Sequence, residues 1–343
     1  MAGEYRQYPL IEAAIRSTRL PRLWTITIVA GGLLLLLILS MFLDDELDSL
    51  FQWNTVSPHF LNIVFLTYIL VVYRFMLQAR EKAILAFKPL LALEDDAFNK
   101  VVENTLKPSR RGEWTAVFLG IGILGAVLFQ PWTLEWAPTY FWVTIHYVTV
   151  TTFGMGLMGW LVYDTLVGII RIYRLSRQDL KLDILNPGIM APVANWSLGI
   201  SLVFVGIFIL SIISDVTQTT KTELWKDIIG YAFLIGVTLL IFFLSMWGVH
   251  RVMSDAKKSK LIPARKLLAE ISRELEDREA KDQREGMIEL SSTFTAWTTY
   301  ETRVKEAPTW PFNASIIRRL IASIIFPAVV YLIKILAGLG IRF

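Results

Sequence analysis

An aspartate within an apolar run is the most conspicuous candidate for chemistry in this chain. Asp164 follows Trp160-Leu-Val-Tyr163, and ionisable groups inside membrane-spanning segments mark ion or proton pathways by default. A position deep in the bilayer predicts proton or cation coupling. A position near the cytoplasmic interface predicts an ion pair instead, with Arg74 or Arg171 as the partner, and the sequence leaves both interpretations open.

The same apolar run carries further polar residues towards its start. These side chains either line a water-filled cavity or form hydrogen bonds between packed helices. His146 and Asp164 are 18 positions apart, which is about 27 Å along a helix. The two residues therefore cannot share one site unless the helix breaks between Gly154 and Gly159. The candidates at this end are Thr144, His146, Tyr147 and Thr151.

A polar stripe also follows one side of the last apolar run. At 100° per residue, its members fall within a narrow arc, and Ile317, Ile321 and Ile325 lie on the other side. Such a stripe suits a helix that faces its symmetry mates around a pore. Alternatively, the cationic side chains extend to the two interfaces, and the small residues pack on the bundle. The predicted pore-lining residues are Arg319, Ser323, Pro327, Val330 and Lys334.

Motifs for catalysis and for cofactors are missing from the sequence. The chain has no cysteine and only three histidines, so we expect no disulfide, no metal site and no cofactor. No P-loop, GxGxxG, GxSxG or HExxH pattern occurs, and we expect no enzymatic activity. The basic segments flank apolar runs, which predicts contact with lipid headgroups rather than with nucleic acid.

These candidates must be positioned by membrane-spanning helices. Hydrophobic residues make up 54% of the 343 positions and charged residues 19%, whereas soluble domains are less apolar and more charged. We predict an all-α polytopic membrane protein with seven spans. Six spans plus a re-entrant or interfacial C-terminal helix is the alternative, since Lys334 lies in the last run. The predicted spans are Leu23–Leu43, His59–Leu77, Trp114–Trp132, Phe141–Ile170, Trp196–Ile213, Ile228–Val249 and Ile316–Leu339.

The basic residues predict the orientation of the chain, because Lys and Arg are retained on the cytoplasmic side. The connecting segments on one side carry 27 of them, against two on the other. The N-terminus is therefore predicted to be cytoplasmic. No cleavable signal pattern follows the first apolar run. This favours a location in the cell membrane of a bacterium or archaeon, namely the inner membrane.

Four regions follow from this topology. Several helices are too long for a bilayer, which predicts a cytoplasmic helical layer continuous with the bundle. Within that layer, Pro263 predicts the start of a helix, because proline is favoured at the first helical position. The regions are a cytoplasmic tail (1–22), a six-helix bundle (23–254) with a cytoplasmic insert (80–113), a cytoplasmic helical segment (255–312) and a C-terminal transmembrane helix (313–343).

The favoured function is a homo-oligomeric ion channel whose pore is lined by the C-terminal helix. Seven spans with a large cytoplasmic block before the last helix give a layout similar to that of the insect chemoreceptor channels, which conduct cations, although no motif is shared. Arg319 and Lys334 favour anions instead. The alternatives are a membrane scaffold or sensor that recruits a cytoplasmic protein partner through its helices, and a transporter of ions or small solutes. The expected partners are the lipid bilayer and further copies of the chain.

Overall fold

The fold is helical throughout the part of the chain that the computed structural model describes. This part comprises residues 9–91, 94–106, 109–128, 140–178, 180, 182–217, 224–281 and 285–338. The α-helices are α1 (Leu10–Ser17), α2 (Arg22–Leu43), α3 (Trp53–Leu85), α4 (Lys88–Leu91), α5 (Asp95–Leu106), α6 (Arg110–Leu128), α7 (Phe141–Ser176), α8 (Ala191–Thr217), α9 (Leu224–Ala280), α10 (Met287–Glu306) and α11 (Ala314–Gly338). The all-α prediction is confirmed for these residues.

Five of these helices are long and apolar enough to cross a bilayer, namely α2, α3, α7, α8 and α9. A membrane protein is therefore the interpretation that the fold supports. The third and seventh predicted runs form α6 and α11, and both runs end among residues outside the described part. Among the five, α8 is the most deeply buried and α2 the least, so α8 lies near the centre of the bundle.

The longest helix is α9, with 57 residues, or about 86 Å. It continues through Pro263, so the helix predicted to begin at that proline is part of α9, and the region boundary at 254 lies inside it. Proline removes a single helical hydrogen bond, to the carbonyl of the residue four positions earlier. The packing of α10 along this part of α9 holds the helix together.

A helical hairpin forms where α10 runs back along α9. The Lys257 ammonium group donates hydrogen bonds to the carbonyl oxygens of Lys305 and Ala307, at 2.6 and 2.8 Å. These contacts satisfy carbonyl groups at the end of α10, where the helix itself supplies no donors. We call the end of the bundle from which this hairpin projects the hairpin end.

The main hydrophobic core lies between α3, α7, α8 and α9. Its largest fully buried side chains include Trp160, Trp196, Tyr73 and Phe87. The Tyr73 and Trp160 rings meet edge to face with centroids 4.5 Å apart, a favoured arrangement for aromatic pairs. This core includes residues beyond the apolar runs, such as Phe87, so the helical layer is continuous with the bundle.

A close contact joins α6 to α7 through glycines. A Cβ atom on Gly120 would lie 2.3 Å from the Met155 carbonyl oxygen, and one on Gly159 would lie 2.4 Å from that of Ala116. Only glycine permits this approach. Among the described residues, nothing lies within 4 Å of a Cβ placed on Gly122.

Candidate functional site

A buried ion pair joins α3 to α7 near the hairpin end of the bundle. Arg80 Nη1 lies 3.0 Å from each carboxylate oxygen of Asp164, and both residues are buried. Arg80 extends beyond the apolar part of α3, and Asp164 is on the facing side of α7. The ion-pair interpretation of Asp164 is thus the one that agrees with the structure, but its partner here is Arg80, a residue that the sequence analysis did not single out.

A second buried carboxylate lies close by on the first turn of α6. Glu113 Oε1 accepts a hydrogen bond from the backbone N–H of Leu10, at 3.1 Å, and lies 3.5 Å from the indole nitrogen of Trp160. Arg110 Nη1 lies 3.3 Å from the other carboxylate oxygen. Glu113 therefore holds the start of α1 against the bundle.

Glu113 was not among the predicted site residues, although its position in the sequence marks it. It is an isolated acid at the start of an apolar run, three positions after Arg110, and that spacing places both residues on one face of a helix. Nothing in the local pattern indicates that Leu10, 103 positions away, supplies the other donor.

Four buried charges therefore gather around this end of α7. Arg171, two turns after Asp164, is also buried, so two guanidinium groups accompany the carboxylates of Asp164 and Glu113. Asp164 is 23 positions into α7, or about 35 Å from the start of the helix. This distance exceeds the hydrocarbon thickness of a bilayer, about 30 Å, so the cluster suits the interface rather than the bilayer centre.

A separate polar pocket lies near the start of α7. The His146 Nε2–H group donates to the carbonyl of Leu33 on α2, at 3.1 Å, and the amide of Asn62 on α3 donates to Thr151 Oγ1, at 3.0 Å. The ring centroid of His59 lies 6.3 Å from that of His146 and 5.5 Å from that of Tyr147. The predicted residues His146, Tyr147 and Thr151 thus connect three helices.

The pocket retains polar atoms that the described protein atoms do not satisfy. His146 Nδ1 and Ser57 Oγ are buried without a hydrogen-bond partner among the described residues. Such atoms are costly unless water or another ligand reaches them. Thr144, also predicted, instead donates its hydroxyl to the carbonyl of Tyr140, one turn earlier, and so takes no part in the contacts between helices described here.

The start of α7 is capped by a distant aspartate. Asp44 accepts hydrogen bonds from the backbone N–H groups of Trp142 and Val143, at 3.2 and 2.8 Å. A carboxylate at this position satisfies unpaired N–H groups and interacts favourably with the helix dipole. Beside it, the Glu46 carboxylate raises the pKa of the Tyr140 phenol, because it accepts the phenolic hydrogen bond.

The two polar sites on α7 are not one site. The helix is continuous from Phe141 to Ser176 and does not break at Gly154–Gly159. His146 and Asp164 therefore remain about 27 Å apart along it. A mechanism that requires both residues at one centre has no support in this geometry.

The C-terminal helix α11 packs at the edge of the bundle, against α8. Ile316 and Leu320 are buried on this face, and so is Pro327, a predicted pore-lining residue. Arg319 is exposed, whereas Ser323 is half-buried and donates to the carbonyl of Leu320. The side chains of Val330 and Lys334 lie outside the described part.

These arrangements can stabilise helix contacts, bind protons at the imidazoles and attract ions to exposed cations. No cluster of three or more His, Asp or Glu side chains suited to a metal ion occurs among the described residues. Comparison with protein-family models, with curated proteins and with solved structures gives no significant match.

Proposed function

We propose that the chain spans the cell membrane of a bacterium or archaeon seven times, with its N-terminus and the hairpin in the cytoplasm. The distribution of basic residues supports this orientation, with 27 on the hairpin side against two on the other. The helical state of α6 and α11 supports the two further spans. The C-terminus then lies outside.

The function we favour is a homo-oligomeric ion channel in which α11 faces the central axis. The observation that carries this proposal is the position of α11 at the bundle edge, where one face packs on α8 and the charged Arg319 remains exposed. An arginine on an apolar spanning helix is costly against lipid. A water-filled axis between subunits removes that cost for Arg319.

The buried position of Pro327 narrows the set of residues that can line such a pore. Within one subunit, Pro327 faces the bundle rather than the axis. Proline leaves the carbonyl four positions earlier without its helical hydrogen bond, which is the carbonyl of Ser323. The hypothesis therefore assigns the ion path to Arg319 and Ser323, and Pro327 contributes through the backbone. A ring of arginines selects anions.

The hairpin is connected to α11 by a short aromatic linker. The Trp310 ring stacks on His250 of α9 with centroids 3.9 Å apart, and the His250 Nδ1–H group donates to the Thr309 carbonyl, at 2.9 Å. A movement of α9 is thus transmitted directly to the start of α11. This contact supports a channel whose opening is controlled from the hairpin.

Two measurements test the channel. Mass photometry of the purified protein in lipid nanodiscs reports the number of subunits, and liposomes report the ratio of chloride to potassium flux. We expect an oligomer, and we expect Arg319→Glu to lower that ratio at least severalfold. Arg318→Glu is the matched control, since Arg318 is equally exposed but points about 100° away around the helix. A monomer, or equal shifts in both variants, contradicts the proposal.

A membrane scaffold is the second candidate, and the hairpin of α9 and α10 favours it. The two helices pack along each other beyond the apolar part of α9, and the stretch 274–285 at the tip is almost wholly charged. The hairpin therefore offers a polar surface for a cytoplasmic protein partner. The scaffold predicts a monomer and no ion flux, so the measurements above separate the two functions.

A further inference from the structure

A cavity of about 1000 Å³ lies between the end of α7 and the part of α9 that enters the hairpin. The two helices touch just before it. A Cβ atom on Gly248 would lie 2.7 Å from Ser176 Oγ and 2.8 Å from Tyr173 Cδ2. The cavity opens directly beyond this contact and is as large as pockets that hold small organic ligands.

One face of α9 forms a wall of this cavity. Its lining positions recur every three or four residues, at Gly248, Arg251, Asp255 and Ser259, which is the spacing of a single helical face. The facing wall comes from the end of α7 and the segment after it. The site is therefore built by α9 on one side and by the end of α7 with its connecting segment on the other.

The charges around the cavity are predominantly positive. Arg177, Arg251 and Lys260 line it, and none of them lies within salt-bridge distance of an acidic side chain among the described residues. Two acids also line it, Asp183 and Asp255, and the Asp183 carboxylate accepts the backbone N–H of Leu185, at 3.1 Å. Among the described lining residues, three cations thus face two carboxylates, which leaves an excess of positive charge.

Apolar and aromatic groups complete the lining. Leu180 and Leu182 lie on the connecting segment, and the Arg177 guanidinium lies 5.7 Å from the ring centroid of Tyr173. Cations and apolar surface in one cavity suit a ligand with an anionic head and an organic body. Arginine in particular recognises phosphate through paired N–H donors.

We propose that this cavity binds a phosphate-bearing ligand through Arg177, Arg251 and Lys260. The proposal goes beyond channel function and does not depend on it, since binding is measured without ion flux. Two sources of the phosphate are compatible with the chemistry. A soluble phosphate ester enters from the aqueous side, and the headgroup of an anionic lipid enters from the bilayer.

The experiment uses the purified full chain in detergent. Titration with pyrophosphate and with ATP, followed by isothermal calorimetry, tests the soluble source. Titration with short-chain phosphatidylglycerol in the same detergent, compared with short-chain phosphatidylcholine, tests the headgroup. We expect saturable binding of at least one phosphate probe. Arg251→Gln and Lys260→Gln should each weaken it about tenfold, as expected for the loss of one charge-assisted contact.

Matched variants make the test specific. Lys258 is exposed on α9 but does not line the cavity, so Lys258→Gln should leave the affinity unchanged. Ser259→Phe narrows the cavity while all three cations remain, and it should also abolish binding. This variant keeps the test decisive if a neutralised variant fails to fold.

The outcomes distinguish a soluble phosphate ester from a lipid headgroup, and both of these from a cavity that binds no phosphate. Soluble binding that is weakened about tenfold in Arg251→Gln and abolished in Ser259→Phe identifies a phosphate ester. Binding confined to phosphatidylglycerol and affected in the same way by both variants identifies the headgroup. The proposal is overturned if neither probe saturates, or if Lys258→Gln weakens binding as much as Lys260→Gln. An ion channel that binds no phosphate leaves the proposed function intact.

Discussion

Arg80 and Asp164, 84 positions apart, form an ion pair in which one guanidinium nitrogen contacts both carboxylate oxygens at 3.0 Å. The pair joins α3 to α7 near the hairpin end of the bundle. Both side chains are only 9% exposed. A lone charge at this place is costly, because neither water nor lipid headgroups reach it fully.

Removal of either partner should destabilise the protein strongly. We expect Asp164→Asn or Arg80→Met to cost about 3–5 kcal/mol of unfolding free energy, since each leaves an uncompensated buried charge. The double variant should cost less than the sum of the single variants, because it leaves no lone charge. Thermal and denaturant unfolding in detergent, arranged as a double-mutant cycle, measure this coupling.

An exposed ion pair provides the control for that cycle. Arg265 and Glu301 are 3.0 Å apart on the hairpin, and the arginine is 58% exposed. Exposed pairs contribute about 0–1 kcal/mol, so Arg265→Met should change stability little. Equal losses at the two pairs contradict the role that we assign to burial.

Glu113 should act as the anchor for α1. In Glu113→Ala the backbone N–H of Leu10 loses its acceptor, and α1 should detach from the bundle more often. Because the chain contains no cysteine, a single Ile11→Cys variant reports this opening through its rate of thiol labelling. We expect labelling of the buried position 11 to accelerate at least severalfold when Glu113 is replaced. An unchanged rate argues that the buried Ile11 and Ile15 hold α1 by themselves.

Gly120 should tolerate no side chain, whereas Gly122 should accept one. Gly120→Ala places a methyl group against the Met155 carbonyl and must separate α6 from α7. Overpacking of this kind typically costs about 1–3 kcal/mol. Gly122→Ala on the same helix meets no described atom within 4 Å and should be neutral or stabilising. Unfolding temperatures of the two variants check the prediction, and similar losses count against this close packing.

The proposed topology predicts which positions a membrane-impermeant thiol reagent reaches in intact cells. Single cysteines at Asp48, between α2 and α3, and at Gly340, after α11, should react from outside. A cysteine at Lys258 on the hairpin side should react only after the membrane is permeabilised. Protection of position 340 favours the alternative in which the C-terminal helix does not cross the bilayer.

Much of the helical architecture could be predicted from the sequence because a bilayer imposes simple local requirements. A spanning helix needs about 20 apolar residues, and the described residues of the predicted runs lie in helices, with the run Phe141–Ile170 inside α7 (Phe141–Ser176). The short helix α1 was not predicted. Pro263 was a misleading marker, since proline favours a helix start, yet a long helix stabilised by tertiary contacts passes through it.

The candidate site was predictable only in part. Asp164 is conspicuous because a charge in an apolar run is rare, and His146 and Thr151 were marked by the same contrast with their neighbours. Arg80 gave little sign, since it lies among other charged residues near the edge of an apolar run. Glu113 was marked only by its place at the start of an apolar run, three positions after Arg110. The cavity beside Gly248 gave no sign at all, because its walls are separated by some 70 positions and form only when α7 meets α9.

The sequence by itself thus determined the secondary structure and the membrane character, because hydrophobicity and helix length act within one segment at a time. The tertiary structure decided that Arg80 neutralises Asp164, that Leu10 binds Glu113, that Pro327 faces the bundle and that three cations share one cavity. Each of these relationships depends on the rotation and relative height of two helices. Those quantities are set by close contacts such as Gly120 against Gly159, which no single segment encodes.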